Sequence, residues 1–154
     1  MKFNVNQQDL QQALSYCQGV IEKRSTLPIL SNVLLNVDSS KLTITATDLD
    51  LIFIHKIENI EVETEGKTTT TSSIMYDIVR KFSSGKKVNL SLTDSSKLQL
   101  ESEKSIFNLN CINSSEFPLT DEDFNENEFV INSKQFLKLL NKCKFSVSND
   151  ETRH

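Results

Sequence analysis

The sequence predicts an α+β fold in which antiparallel sheets are backed by two helices per domain, and three observations carry that prediction. Two amphipathic helical segments, each with a capping signal ahead of it, interrupt a chain otherwise made of short alternating runs. Those runs are joined by brief turns rich in Asp, Ser and Glu, which suit hairpins and a meander. The opening of the chain also recurs late in it. Phe3, Val5, Asn6, Leu10, Leu14 and Cys17 correspond, at one constant offset, to Phe129, Ile131, Asn132, Phe136, Leu140 and Cys143.

Residues 2–5 alternate as a short strand. Asn6, with Asp9 three positions on, caps a helix whose apolar face is Leu10, Ala13, Leu14, Cys17 and Ile21. Gln7, Gln8, Gln11, Gln12 and Ser15 cover the other face. Leu27-Pro28 ends any helix, because proline lacks an amide proton and biases the residue before it to extended backbone; Pro28 is expected to open a strand over 29–37. Lys23 and Arg24 then fall on a short exposed loop, for which a solvated connector is the ordinary reading. After a turn at Asp38-Ser39-Ser40, residues 41–47 alternate cleanly, Asp48-Leu49-Asp50 breaks the pattern, and 51–57, 59–63 and 68–71 resume it. Ser72 and Ser73 are expected to cap a second helix, with Ile74, Met75, Ile78, Val79 and Phe82 on one side, Asp77, Arg80 and Lys81 on the other, and Gly85 at its end. Strands at 88–92, 98–102 and 105–110 follow.

Residues 116–128 contain Glu116, Asp121, Glu122, Asp123, Glu126 and Glu128 with no basic residue, and read as an acidic linker. The expected organisation is a complete domain over 1–115, the linker over 116–128, and the opening strand and helix of a second, truncated domain over 129–154. The helix at Ser72 is a fainter third copy of the repeat, so each domain divides into two half-units of one helix and several strands.

A chain of 154 residues with 37% hydrophobic content can bury a real core, and its net charge of −4 excludes a general polycation. Nucleic-acid contact must therefore be local. Arg80, Lys81, Lys86 and Lys87 cluster against Asp77 alone, and Lys134, Lys138 and Lys142 recur on one helical face, whereas the first helix carries only Asp9. Cys17, Cys111 and Cys143 lack paired spacing and read as reduced core thiols of a cytosolic protein. The first residues lack the apolar core of a secretion signal, and no stretch reaches membrane-spanning length. Asp48 and Asp50 at a strand break read as turn chemistry, and His55 lies in a strand, partly exposed. No zinc-protease motif, glycine-rich phosphate loop or catalytic triad order is present, so neither a metal, a cofactor nor catalysis is expected.

Several stretches, in this order, carry a resemblance: Met1-Lys2-Phe3; Arg24-x-Thr26-Leu27-Pro28-Ile29-Leu30-x-Asn32; Thr45-Ala46-Thr47-Asp48-Leu49; Asp77-Ile78-Val79-Arg80; Glu116-Phe117-Pro118; and Phe145-Ser146-Val147-Ser148 with Asp150-Glu151-Thr152-Arg153. Over nearly the whole chain the sequence resembles the bacterial DNA sliding-clamp family, the beta subunit of DNA polymerase III. The resemblance implies the DNA clamp fold, three domains to a subunit, and two subunits closed as a homodimeric ring on double-stranded DNA, sheets outside and helices lining the hole. It implies a cytoplasmic, non-catalytic processivity factor of the DNA-directed DNA polymerase holoenzyme, binding no membrane and reading no base sequence. It assigns DNA contacts to Arg24 with Lys23 beside it, to Arg80 and Lys81, and to Arg153 and His154. The subunit interface falls on Ile78 and on an edge strand through Lys104, Ser105, Ile106 and Phe107. Ser73 and Ile74 stand where the family carries basic residues, His154 where some members have tyrosine, and Ile106 where a basic residue is common, which implies a more apolar seam. The polymerase and the clamp loader would dock between second and third domains, mostly outside this chain. The residues alone also allow an autonomous protein-interaction module that uses exposed sheet edges and ignores DNA.

Overall fold

A computed structural model describes residues 1–21, 27–94, 96–118 and 130–147. The chain separates into two compact units, 1–119 and 120–154. Four residues assigned to DNA contact, Lys23, Arg24, Arg153 and His154, lie outside the described residues, as does most of the acidic stretch.

The first unit begins with β1 (Lys2–Asn6) and α1 (Gln7–Cys17). Asn6 ends the strand in extended backbone, and its side-chain oxygen accepts the Gln8 N–H at 2.8 Å, satisfying one of the orphan donors of the first turn. Helical spacing then buries Leu10, Ala13, Leu14 and Cys17 completely. The helix stops four residues earlier than its apolar pattern suggested: Gly19 disfavours another helical turn, and Val20 and Ile21 follow in hydrogen-bonded turns that still pack on the core.

Pro28 does not open a strand. It starts a single 3-10 turn, Pro28–Ser31, that buries Leu30, and β2 (Asn32–Asp38) follows. The fixed φ and missing N–H of proline suit the first position of a helical turn as well as a strand start. The Asn32 amide decided the boundary. Buried, it donates to Thr69 Oγ1 at 3.1 Å and accepts from Thr71 Oγ1 at 3.2 Å, tying β2 to the later strand β6 (Gly66–Thr71).

A meander continues through β3 (Lys41–Thr47) and β4 (Ile52–Ile57), after which β5 (Glu61–Thr64) leaves it to pair with β1. The break before β5 holds Asn59 at φ 58°, and the Ile60 N–H donates to Ser40 O at 3.0 Å. At the start of β6, Gly66 sits at φ 152°, where a Cβ would approach Met1 Cβ to 3.1 Å.

The next helix is α2 (Ser72–Val79), and neither serine expected to cap it does so. Thr71 occupies the cap position with its hydroxyl committed to Asn32. Ser72 is buried inside the first turn, accepting from Gln18 Nε2 at 2.8 Å. The helix ends at Val79 rather than at Gly85, which lies at φ 76° in the turn before β7 (Lys87–Asp94). A second meander adds β8 (Lys97–Ser102) and β9 (Ser105–Ile112).

Among the described residues the strands order as β4-β3-β2-β6-β9-β8-β7-β1-β5, all antiparallel. The opening strand of each half pairs into the other half's meander, β1 against β7 and β6 against β2. The helices run antiparallel to each other: Gln7 Nε2 at the start of α1 donates to Val79 O at the end of α2, 2.9 Å away, and Gln18 beyond α1 reaches Ser72. Beneath them Phe3, Leu35, Ile44, Met75, Leu90, Leu98 and Leu100 are fully buried, each contributing about 1.5–3 kcal/mol by removal from water. The second unit's described part is α3 (Ser133–Cys143), capped by Asn132 Oδ1 on the Lys134 and Gln135 N–H groups, and a short 3-10 turn, Lys144–Ser146. No helix among the described residues is long and apolar enough to cross a membrane.

Leu14→Ala is expected to lower unfolding free energy by about 2–5 kcal/mol in urea titration, because the cavity opens between helix and sheet and neither can follow. Burial pushes the Cys17 thiol up to about 12, so in the folded protein it stays protonated and enclosed. A raised folded-state value means this stabilisation is complete below the ordinary thiol range and is lost as pH climbs through the alkaline range toward about 12. Of the three cysteines expected in the core only Cys17 is buried; Cys111 is partly covered and Cys143, on the exposed α3, is open to solvent. Mass-resolved alkylation at mildly alkaline pH is expected to label exposed Cys143 first, and Cys17 only after unfolding.

Candidate functional site

The basic cluster at the end of α2 is less positive than its sequence. Arg80 Nη2 lies 3.0 Å from Asp77 Oδ1 one turn back, and its guanidinium sits 5.7 Å from the Tyr76 ring centre. Lys86 reaches Glu103 at 3.8 Å from the β8–β9 turn, and Lys87 bonds Glu61 of β5, whose carboxyl it holds below the usual range. Three of four cations are therefore matched by acids, two of which, Glu61 on β5 and Glu103 in the β8–β9 turn, are distant in sequence. Lys81 is exposed, with no acidic partner among the described residues. These pairs are all exposed, so another anion can exchange into them.

Beside that cluster lies an open strand edge. Over residues 105–110 β9 is hydrogen-bonded to β8 on one side, whereas β6 meets it only at Cys111 and Ile112. Ile106 is 57% exposed and Phe107 40% exposed along the free stretch. Lys104, expected on this strand, lies instead in the tight β8–β9 turn, where Glu103 takes φ 55°. Ile78 is half-buried against the core. The residue linking helix to edge is Phe82, which sequence reading assigned only to the helix face: its ring centre lies 5.9 Å from that of Phe107. Ile74, 51% exposed, Ile78 and Phe82 follow at four-residue spacing toward this contact.

The first half-unit carries a matching edge that the sequence reading missed. Among the described residues strand β4 pairs only with β3, and Ile54 is 53% exposed. Tyr16, Phe53 and His55 gather behind it with ring centres 6.0–6.2 Å apart. The turn leading into β4 is held by Asp48, whose carboxylate accepts the N–H groups of Asp50 at 3.1 Å and Leu51 at 2.7 Å while Leu49 sits at φ 84°. Asp48 thus does turn work, as expected. Alternation alone cannot show which strand of a meander is left unpaired, and this is why the edge escaped notice.

In the second unit, Lys134, Lys138 and Lys142 lie exposed along one side of α3 with Leu137 and Asn141 between them. No acidic residue falls within the helix.

The family described as "DNA polymerase III beta subunit, N-terminal domain" matches residues 1–121. The beta sliding clamp of Caulobacter vibrioides is 33% identical over 155 residues, covering 100% of this chain and 41% of that protein. The beta sliding clamp of Rickettsia felis is also 33% identical, over 156 residues, with 100% and 40% covered. Among solved structures, Caulobacter crescentus pol III beta superposes with a TM-score of 0.93 at 33% identity, over 100% of this chain and 41% of that one. The chain spans about two fifths of the length of the curated relatives it matches.

A double-mutant cycle on Phe82→Ala and Phe107→Ala is expected to give a coupling of about 0.5–1.5 kcal/mol in urea unfolding, the ring–ring term beyond simple burial. Additive single effects would mean that the helix end and the edge strand are not joined through this contact.

Proposed function

Since the chain belongs to the DNA polymerase III beta-subunit family, the bacterial sliding clamps, we propose that it is a segment of a DNA replication processivity factor: part of a homodimeric ring that encircles duplex DNA and tethers the replicative polymerase. In this reading residues 1–115 are the complete first clamp domain, 116–128 an acidic linker, and 129–154 the opening of a second domain. The protein works in the cytoplasm by topology and does no bond chemistry of its own. Polymerase and clamp loader engage mainly the part of the ring beyond this chain.

The observation that carries the reading is a layer of two antiparallel helices on one face of a sheet that ends in an open, apolar strand edge. Such a block can be joined edge to edge into a closed wall with helices turned inward. The role asks for scattered cations at phosphate distance rather than side chains that read base edges. Lys23, Arg24, Arg80, Lys81, Arg153 and His154 supply the phosphate contacts, and Lys134, Lys138 and Lys142 add to the basic lining. Ile78, Ile106 and Phe107, with Lys104 at the end of the edge, form the seam with the second subunit. A second reading draws on the ion pairs that neutralise Arg80, Lys86 and Lys87: a protein-interaction module working through its sheet edges without DNA.

The test compares retention on circular and linearised duplex DNA for the chain extended to the length of its relatives, with a clamp loader and ATP. The extended protein is expected to stay on circles and run off linear ends. Arg24→Glu should lower retention and reduce the salt dependence of binding by about one unit of slope per lost phosphate contact. Equal loss from both DNAs would overturn encirclement, and an unchanged salt slope in Arg24→Glu would favour the interaction module.

A further inference from the structure

Three buried apolar residues stand apart from the core beneath the helices: Leu30 in the 3-10 turn, Leu34 in β2 and Phe117 just past β9. Leu34 alternates with Val33 and Leu35, which belong to that core, so its side chain lies on the face of the sheet turned away from α1 and α2. It is flanked there by Thr69 of β6 and Thr45 of β3, and all three are buried. The second half-unit leaves the same place open. Counted from the residue ahead of each helix, Thr71 and Asn6, the position of Thr69 is taken by Asn4, that of Leu34 by Asn89 and that of Thr45 by Glu101. None of these is buried, and with Ser91 and Gln99 they line a shallow polar basin. The outer face is thus covered in one half only, by chain that the other half lacks. Two short turns meet that requirement: Pro28–Ser31 lies against β2, and a second 3-10 turn, Ser114–Glu116, lies against β6. In the other half α2 is joined to β7, and β4 to β5, with no 3-10 turn at either place.

We infer that Leu30, Leu34 and Phe117 form a second, smaller core on the outer face, and that Phe117 is through it a positioning residue for the DNA contact assigned to Lys23 and Arg24. The inference rests on the reading of Arg24 as a phosphate contact and adds the group that holds it. Pro28–Ser31 is the root of the segment that carries those two cations. Asn32 pins that root to β6 from one side, through its bonds to Thr69 and Thr71. The chain past β9 reaches it from the other. Thr69 Oγ1, while accepting from Asn32, donates to Ile112 O at 2.8 Å and so ties the end of β9 to the same row. Asn113 Oδ1 then accepts the Ser115 N–H at 3.0 Å, and the Phe117 N–H closes the turn on Ser114 O at 3.2 Å, which brings the ring back to be buried with the first unit. Small apolar clusters beneath connecting segments are a common way of fixing where such segments depart. A cation whose segment departs from a fixed point loses less freedom when it meets a phosphate. Phe117 stands at the start of the acidic stretch, so local pattern gives it no link to Arg24; the link runs through β9, β6 and β2.

Hydrogen exchange on the whole chain reads the anchor without DNA. The Leu30 N–H bonds Leu27 O at 3.1 Å and the Asn32 N–H bonds Ile29 O, so both amides report opening of the turn. Phe117→Ala is expected to speed exchange at these two amides about tenfold while leaving Leu35 and Leu90, on strands of the main core, unchanged, and Phe117→Leu to restore most of the protection. An equal rise at all four amides would mean that Phe117 adds only to global stability, and no rise at Leu30 would mean that Phe117 does not hold the turn; either result overturns the inference. Retention of the extended protein on circular DNA then tests positioning. Phe117→Ala should lower retention, and adding it to Arg24→Glu should lower it no further, since both act on one contact. Additive losses overturn the positioning role. Arg24→Glu without effect on retention overturns the phosphate contact itself and the positioning role with it, whereas the exchange pattern separately decides whether the outer core exists.

Discussion

The fold depends on an exchange of strands. Because β1 completes the meander of the second half and β6 that of the first, neither half can close its sheet without the other. Buried polar contacts lock the exchange in register. Asn32 bonds Thr69 and Thr71 where β6 crosses, and the glutamines at the two ends of α1 bond the two ends of α2. A slip of one residue in either opening strand would leave these groups unsatisfied in the interior, at a cost far above that of losing an exposed contact. Helices and sheet are thereby held as one body, and an apolar face with few polar handles becomes a specific structure.

That same exchange leaves strand edges open. Each meander has a last strand, β4 in one half and β9 in the other, that the opening strands cannot fully cover. Edges of this kind are a hazard in a monomer and an asset in an assembly, because unpaired main-chain groups supply affinity and alternating side chains supply selectivity. The aromatic residues behind each edge, Phe82 with Phe107 and Tyr16 with Phe53 and His55, stiffen it from the helix side. An edge that is already ordered loses less freedom when another strand pairs with it.

Electrostatics adds a second layer, arranged by tertiary contacts. The cations at the end of α2 are held by Asp77, Glu103 and Glu61, so the helix layer offers charges that are partnered until a stronger anion displaces the acids. Exposed pairs of this kind are weak and screened by salt, so they exchange readily with other anions. In the second unit the lysines of α3 share their helix with no acidic residue.

Much of this was legible in the residues. The strands at 41–47, 88–92 and 98–102, the Asn6 cap, the buried face of α1 and the turn at Asp48 follow from local periodicity and from side chains that bond their own backbone within three residues. These are short-range effects, and they need no knowledge of the rest of the chain. Where the reading failed, the deciding partner was distant. Pro28 became a 3-10 turn because Asn32 was committed to β6, Ser72 was drawn into a bond with Gln18 instead of capping, and the cations of 72–87 found acids on β5 and in the β8–β9 turn. The identity of β4 as an edge belongs to the same class, since pairing is a property of the whole sheet order. Local chemistry settled which segments are helix and strand and which residues face inward; the long-range closure of the sheet settled which groups remain free to meet another molecule.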